Sequence, residues 1–206
     1  MARRTKEQAE QTKQALLDTA LEMFSQQGIS QTSLKAVAAG AGVTHGALYW
    51  HFKNRHDLVS SLYQERRLPL NTLFLDQLQA ARQDALSAIT IYLSEWVSLV
   101  VENPTWQRCW RTFHQAPQRC AELEDLSSQL HEERTQWHDQ LSKLIKKARK
   151  QKQLRSKPKH KPDLLADNLM ILVQGLINAS LTSPPLCRDH SQAKQIIQGY
   201  LKGISR

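Results

Sequence analysis

Between Thr32 and Lys53 the chain reads TSLKAVAAGAGVTHGALYWHFK, a stretch whose punctuation dictates two short helices joined by a glycine turn. Thr32 stands just before an apolar-periodic run, where a hydroxyl accepts a hydrogen bond from an unpaired amide of the first helical turn. Leu34, Val37 and Ala38 follow at spacings of three and one, so they share one helical face and pack inward. The small Ala38 lets the two helices approach, and Gly42 supplies the positive φ of a tight turn. Thr44 caps a second helix whose inward side is Ala47, Leu48 and Phe52. His45, Gly46, Tyr49 and His51 are left facing outward.

That outward face suits a DNA groove. A helix-turn-helix lays its second helix in the major groove, with residues near that helix's N-terminus reaching base edges or phosphates. Thr44, His45, Tyr49 and His51 all form hydrogen bonds, and Lys53 adds a positive charge for the backbone. Gly46, without a side chain, lets the helix sit close to the bases. The spacing alone is shared with ordinary amphipathic hairpins whose polar face is merely solvated.

The stretch VTHGALYWHFKNRHDL resembles the signature of the TetR family of transcriptional regulators, and the preceding Phe24, Gly28, Thr32 and Ser33 are similar to the family's connection between its first two helices. Within the family the chain looks most like the AcrR-type regulators of multidrug-efflux operons. The specific similarity covers about residues 3–65, and beyond it only the helical pattern matches. The resemblance implies phosphate and sugar contacts for Thr44, Tyr49 and His51, a phosphate contact for Lys53 at the start of the next helix, and another for Thr32 or Ser33. His45 departs from the family pattern, in which arginine is usual. Arginine makes a bidentate contact with guanine, whereas histidine offers one donor or acceptor per edge, so the operator sequence does not carry over.

At 206 residues the chain exceeds the commonest domain size. The expected arrangement is all-α, with about nine helices: a helix-turn-helix DNA-binding domain over residues 1–55, and a helical effector-binding and dimerisation domain over 56–206. Only seven glycines and seven prolines accord with mostly helix. No stretch is expected to reach the ~18 apolar residues of a membrane span, and no N-terminal signal segment is evident, so a cytoplasmic protein without a membrane partner is expected. Cys109, Cys120 and Cys187 form no CxxC pair and are read as reduced thiols. With His114 they match no standard metal-ligand spacing, and neither metal nor cofactor is expected.

The net charge of +9 is concentrated in one place. Residues 146–161, KKARKQKQLRSKPKHK, hold nine lysines and arginines and no acid; without them nineteen basic residues face nineteen acidic ones. The segment up to Asp57 has seven basic and five acidic residues, so affinity for DNA has to come from charge placement and from dimerisation. Arg3 and Arg4 form a basic arm able to follow the backbone or enter a minor groove. The run at 146–161 is expected to be a frayed helix end and solvated loop, with electrostatic attraction to DNA or an acidic partner as its alternative.

Near the C-terminus two helices, about 163–182 and 190–204, are expected on either side of Pro184-Pro185. The first is apolar around most of its circumference, and such a helix buries two faces. One would meet its own domain and the other a partner subunit, with Leu169, Leu172, Val173, Leu176, Ile196 and Tyr200 as the interface. This is similar to the family's dimer, which matches two reading helices to half-sites of a palindromic operator about 34 Å apart or a multiple of that. Trp96, Trp106, Trp110, Phe113 and Trp137 cluster in the middle helices, where AcrR-type relatives hold a pocket for apolar compounds, and Arg66 and Arg67 suit either an anionic effector or a plain solvated surface. An ordinary helical core would carry the same aromatics.

The resemblance implies a homodimeric repressor of an efflux-pump or stress operon, released from double-stranded operator DNA by a small apolar or aromatic effector. An activator or ligand-independent regulator, and a small-molecule or interaction module that no longer binds DNA, are the competing readings. No GxSxG, HExxH, P-loop or paired-carboxylate pattern suggests an enzyme.

Overall fold

The computed structural model describes residues 6–115, 120–155, 161–187 and 189–205. Among these lie eleven α-helices and no β-strand, so the expected all-α architecture holds. They are α1 Lys6–Gln27, α2 Leu34–Gly40, α3 His45–His51, α4 Arg55–Glu65, α5 Leu70–Ala80, α6 Ala85–Glu102, α7 Pro104–Phe113, α8 Ala121–Asp125, α9 Ser127–Lys150, α10 Pro162–Ser180 and α11 His190–Ile204. The count exceeds the expected nine for two reasons. Pro69 does not merely end a helix but stands as the N-cap of α5, which has no side-chain cap to announce it. The helical periodicity of Leu123, Leu126, Leu130, Trp137, Leu141 and Leu144, which reads as one long helix, is also broken at Leu126 into α8 and α9.

The described residues fall into two compact units, one made of residues up to Leu68 with those from Arg108 to Ser128, the other of Pro69–Gln107 with those from Gln129 onward. In the first, α1 packs on α2, α3 and α4. Leu16, Leu17 and Phe24 of α1 close over Val37, Leu48, Phe52 and Leu62, all at most 1% exposed. Each such side chain contributes roughly 1.5–3 kcal/mol on leaving water, which outweighs the weak intrinsic stability of seven-residue helices. The contact of α2 with α1 is tight at Gly40, where a Cβ would stand 2.8 Å from the Thr19 methyl.

Polar ties fasten α1 to α4. Lys13 pairs with Glu65, and Arg66 Nη2 donates to Asp18 (2.7 Å) and Gln14 (3.0 Å). The Glu65 hydrogen bond raises the Lys13 ammonium above its usual range. For Glu65, burial is the largest influence and pushes upward, but hydrogen bonds from Lys13 and Gln14, with the charges of Lys13 and Arg66, together outweigh it and hold the carboxyl below its usual range. At the other end of α4, Arg55 and His56 reach Glu122 (3.8 Å) and Asp125 (3.0 Å) of α8.

In the second unit α6 is central, packed by α5, α10 and α11. By length and composition α6 would be able to cross a membrane, which corrects the expectation that no stretch comes close. Here that apolar surface serves the core: Ile89, Tyr92, Leu93, Trp96 and Val100 are wholly buried. The first amides of α6 are satisfied by two glutamines just past the end of α9 and by the helix's own N-cap. Gln151 Oε1 accepts from Ala85 N (2.9 Å), Gln153 Oε1 from Leu86 N (3.0 Å), and Asp84 Oδ1 from Ser87 N (3.0 Å). Without these partners three donors at the helix start would go unsatisfied.

Candidate nucleic-acid interface

The two short helices are set by local chemistry. Ser33 caps α2, its hydroxyl accepting from the Ala36 amide at 3.1 Å. At the other end, Gly42 has φ +68° while its amide donates to Ala39 O and the Val43 amide to Ala38 O, both at 3.0 Å. That double closure ends the helix in a left-handed residue, and a Cβ costs about 1 kcal/mol or more in that conformation. Thr44 then caps α3 by accepting from Ala47 N at 3.2 Å. Asn54 caps α4, and Asp57 reaches back to the Lys53 amide at 2.9 Å, so Lys53 is held at the mouth of the next helix.

Thr32 differs from its expected role. The hydroxyl of Thr32 is not the cap of α2. The residue is 1% exposed, and its Oγ1 donates to Gly28 O at 2.8 Å and accepts from Gln27. Two adjacent hydroxyl residues compete for one cap, and Ser33 takes it because Thr32 is drawn inward by the end of α1. Of the pair, only Ser33 is at the surface.

On α3, Leu48 points into the core at 0% exposure, Phe52 follows at 1%, and Ala47 is half-buried. Thr44, His45, Gly46 and Tyr49 are exposed, as is Lys53, while His51 is half-buried. The structure therefore gathers these residues on one surface, with nothing within 4 Å of the place a Gly46 Cβ would occupy. His45 lies edge-on to Tyr49, ring centroids 4.8 Å apart, which fixes the imidazole one turn ahead of the phenol. Trp50 was not among the expected contacts, yet it is 74% exposed and meets His51 edge-on at 4.6 Å. The signal for it was the register: position 50 lies midway between the inward Leu48 and Phe52 and therefore opposite to both. Arg3 and Arg4 lie outside the described residues.

The expected aromatic cluster is divided. Trp96 and Trp137 belong to the second unit, where their rings meet edge-on at 5.0 Å and both are buried; Trp106 belongs there too, half-buried. Trp110 and Phe113 are buried in the first unit, where Phe113 meets Tyr63 at 5.3 Å. Arg67 lies in that unit as well, stacked over Tyr63 at 5.6 Å. In the second unit a groove of about 560 Å³ between α5 and α9 is walled by Asn71, Phe74, Leu75, Gln140 and Lys143. A hydrogen-bond chain leads from it into the core, Gln140 donating to Asn71 (3.2 Å) and accepting from the Tyr92 hydroxyl (2.8 Å). Behind them the Trp96 indole N–H is buried without a partner among the described residues.

Leu169 and Val173 are at 0% exposure and Leu176 at 6%, so these three serve the core of their own unit. Leu172 and Tyr200 are half-buried and Ile196 is 40% exposed. The apolar surface that α10 leaves open lies instead at Leu164 and Ile171, one heptad apart. Cys109, Cys120 and Cys187 are free and buried, and burial pushes the Cys109 thiol up to about 12.

Residues 16–62 match the model of the tetR family of bacterial regulatory proteins. The HTH-type transcriptional regulator AcrR of Shigella flexneri is 46% identical over 89 residues, which span 43% of this chain and 41% of that protein. The shared stretch thus covers well under two thirds of that relative. The HTH-type transcriptional repressor BepR of Brucella suis is 31% identical over 179 residues, 85% of this chain and 83% of its own length. Among solved structures, NalD, the secondary repressor of the MexAB-OprM multidrug efflux pump in Pseudomonas aeruginosa, superposes with a TM-score of 0.80 at 26% identity, covering 98% of this chain and 99% of NalD.

Proposed function

The chain belongs to the TetR family of bacterial regulatory proteins, and from that premise we propose that it is a homodimeric transcriptional repressor whose α3 reads a palindromic operator. The observation that carries this reading is the division of α3 into two faces. Leu48 and Phe52 anchor one in the core, while Thr44, His45, Gly46, Tyr49 and Trp50 stand in solvent between capped ends. A helix so anchored presents hydrogen-bonding and aromatic groups without ordering cost at the moment of binding. Ser33 and Lys53, at the starts of α2 and α4, serve as phosphate contacts.

The dimer uses the exposed sides of α10 and α11, with Leu164, Ile171 and Ile196 as its apolar contacts and Leu172 and Tyr200 at their margins. The effector is a small apolar or aromatic compound that enters the α5–α9 groove and reaches toward Tyr92, Trp96 and Trp137. A compound that binds better when the two reading heads are off operator spacing lowers DNA affinity by the ratio of its affinities for the two states. The names of AcrR, BepR and NalD as regulators or repressors support an efflux-pump or stress operon as the target. A gel shift with DNA from upstream of the protein's own gene tests the reading. Retardation that excess random duplex fails to compete supports it, and equal competition by random duplex refutes it.

A further inference from the structure

Residues 146–155 of the basic segment are not a frayed end, while 156–160 lie outside the described residues. Helix α9 continues through Lys150 and closes on Lys152, at φ +58°, with the Lys152 amide donating to Arg149 O and the Gln153 amide to Ala148 O, both at 3.0 Å. Lysine stands here where glycine is usual, at a cost of order 1 kcal/mol. On either side of it, Gln151 and Gln153 hold the start of α6. Leu154 is buried and bridges Ser205, while Arg155 donates to Ile204 O and Ser205 O at 2.9 and 2.8 Å. These anchors hold the cations in place.

Arg82, Lys146, Lys150, Lys152, Arg155 and Lys161 are exposed. The Arg82 carbonyl accepts from Gln151 at 3.2 Å, which brings that residue to the same corner. Two carboxylates border the group. Asp163 faces Lys146 at 3.7 Å, and Asp84 is engaged by Ser87 and Gln153. Lys150, Lys152 and Lys161 meet no carboxylate at ion-pair distance among the described residues.

We propose that this anchored cluster of lysines and arginines on the second unit is a second, sequence-independent docking surface for the phosphate backbone of duplex DNA, separate from the α3 face. The segment 146–161 contains no phenylalanine, tyrosine or tryptophan, so it lacks the broad aromatic platforms on which successive unpaired bases stack. Its one large apolar side chain, Leu154, is buried, so nothing is offered to a bilayer interior. Charge without broad aromatic platforms or insertion groups fits a duplex, whose phosphates supply one negative charge per ~1.7 Å and meet any cation spacing. The α3 module, with two net positive charges up to Asp57, leaves room for such a contribution to overall affinity. This inference rests on duplex DNA as the partner proposed above.

The test compares the full chain with a triple variant, Lys150→Gln, Lys152→Gln and Lys161→Gln, whose side chains make no hydrogen bond or ion pair among the described residues. Affinity for a long random duplex is measured across a salt series. The expected result is a salt slope lower by up to about three and affinity at 0.1 M salt weaker by at least about tenfold, with the preference for operator over random sequence retained. An unchanged slope overturns the proposal, as does loss of binding to anionic phosphatidylglycerol vesicles with DNA binding unaltered. If the parent chain prefers no operator yet the triple variant still loses slope, the operator reading fails and the second surface stands.

Discussion

Gly46→Ala separates fold stability from DNA reading. Gly46 is the second residue of α3, and a Cβ built there meets nothing within 4 Å. Alanine is favoured over glycine in a helix by roughly 0.5–1 kcal/mol, and in the first turn of a seven-residue helix the lower end applies, about 0.5 kcal/mol. No steric term opposes it, so urea unfolding followed by helical circular dichroism should show a midpoint equal to or higher than the parent's, with unchanged slope. On DNA the same methyl occupies the gap through which α3 approaches base edges. Operator affinity should fall at least tenfold, about 1.4 kcal/mol, at fixed salt. A lower midpoint would mean that α3 is not open to solvent at this position. A raised midpoint with full operator affinity would mean that the duplex does not approach this side of the helix.

Three further outcomes follow from the geometry. The Ser87 hydroxyl, then the Ser87 amide and Gln153, hold the Asp84 carboxyl below its usual range, so its contribution is complete above about pH 4 and is lost as pH falls through the lowered value; Asp84→Ala should cost about 1 kcal/mol at pH 7 and less in acid, read from thermal unfolding at the two pH values. Lys152→Gly should stabilise the fold by up to about 1 kcal/mol in urea unfolding, because glycine adopts the left-handed conformation freely, and a loss of stability would show that the lysine side chain supports the α9 end. A Cβ at Gly175 meets nothing within 4 Å in the protomer, so Gly175→Ala should leave the protomer as stable or more so; if α10 packs closely on a partner, sedimentation velocity should show a weakened dimer, and an intact dimer would move the interface elsewhere.

Much of the α2–α3 hairpin was legible because its causes are local. Gly42, Thr44, Leu48 and Phe52 act through their own turn or through helical register, and each sits as the sequence implies. Ser33 and Thr32 were harder, because which of two adjacent hydroxyls becomes the cap depends on how α1 ends. Helix α5 was hidden by Pro69, which reads equally as a stop and as a start. On α10 the periodicity showed an apolar circumference but not which side its own core would claim, and Leu169 and Val173 went to the core while Ile171 did not. The five aromatics close in sequence separated into two units because helix neighbours in the chain need not be neighbours in space. The 146–161 run looked frayed by composition, and the anchoring of its residues up to Arg155 through Gln151, Gln153 and Arg155 depends on partners about fifty to seventy residues away.

The most direct measurement is the operator-to-random affinity ratio, taken at one salt concentration for the parent, His45→Ala and Lys53→Ala. Both residues are exposed beside α3, but His45 stands at its first turn and Lys53 beyond its end. Base contacts carry sequence information and phosphate contacts do not. The parent should favour its operator by about 10³-fold or more. His45→Ala should shrink or redirect that ratio, and Lys53→Ala should weaken both duplexes alike and keep it. Equal losses on operator and random DNA for both variants would contradict the assignment of α3 as the reading helix.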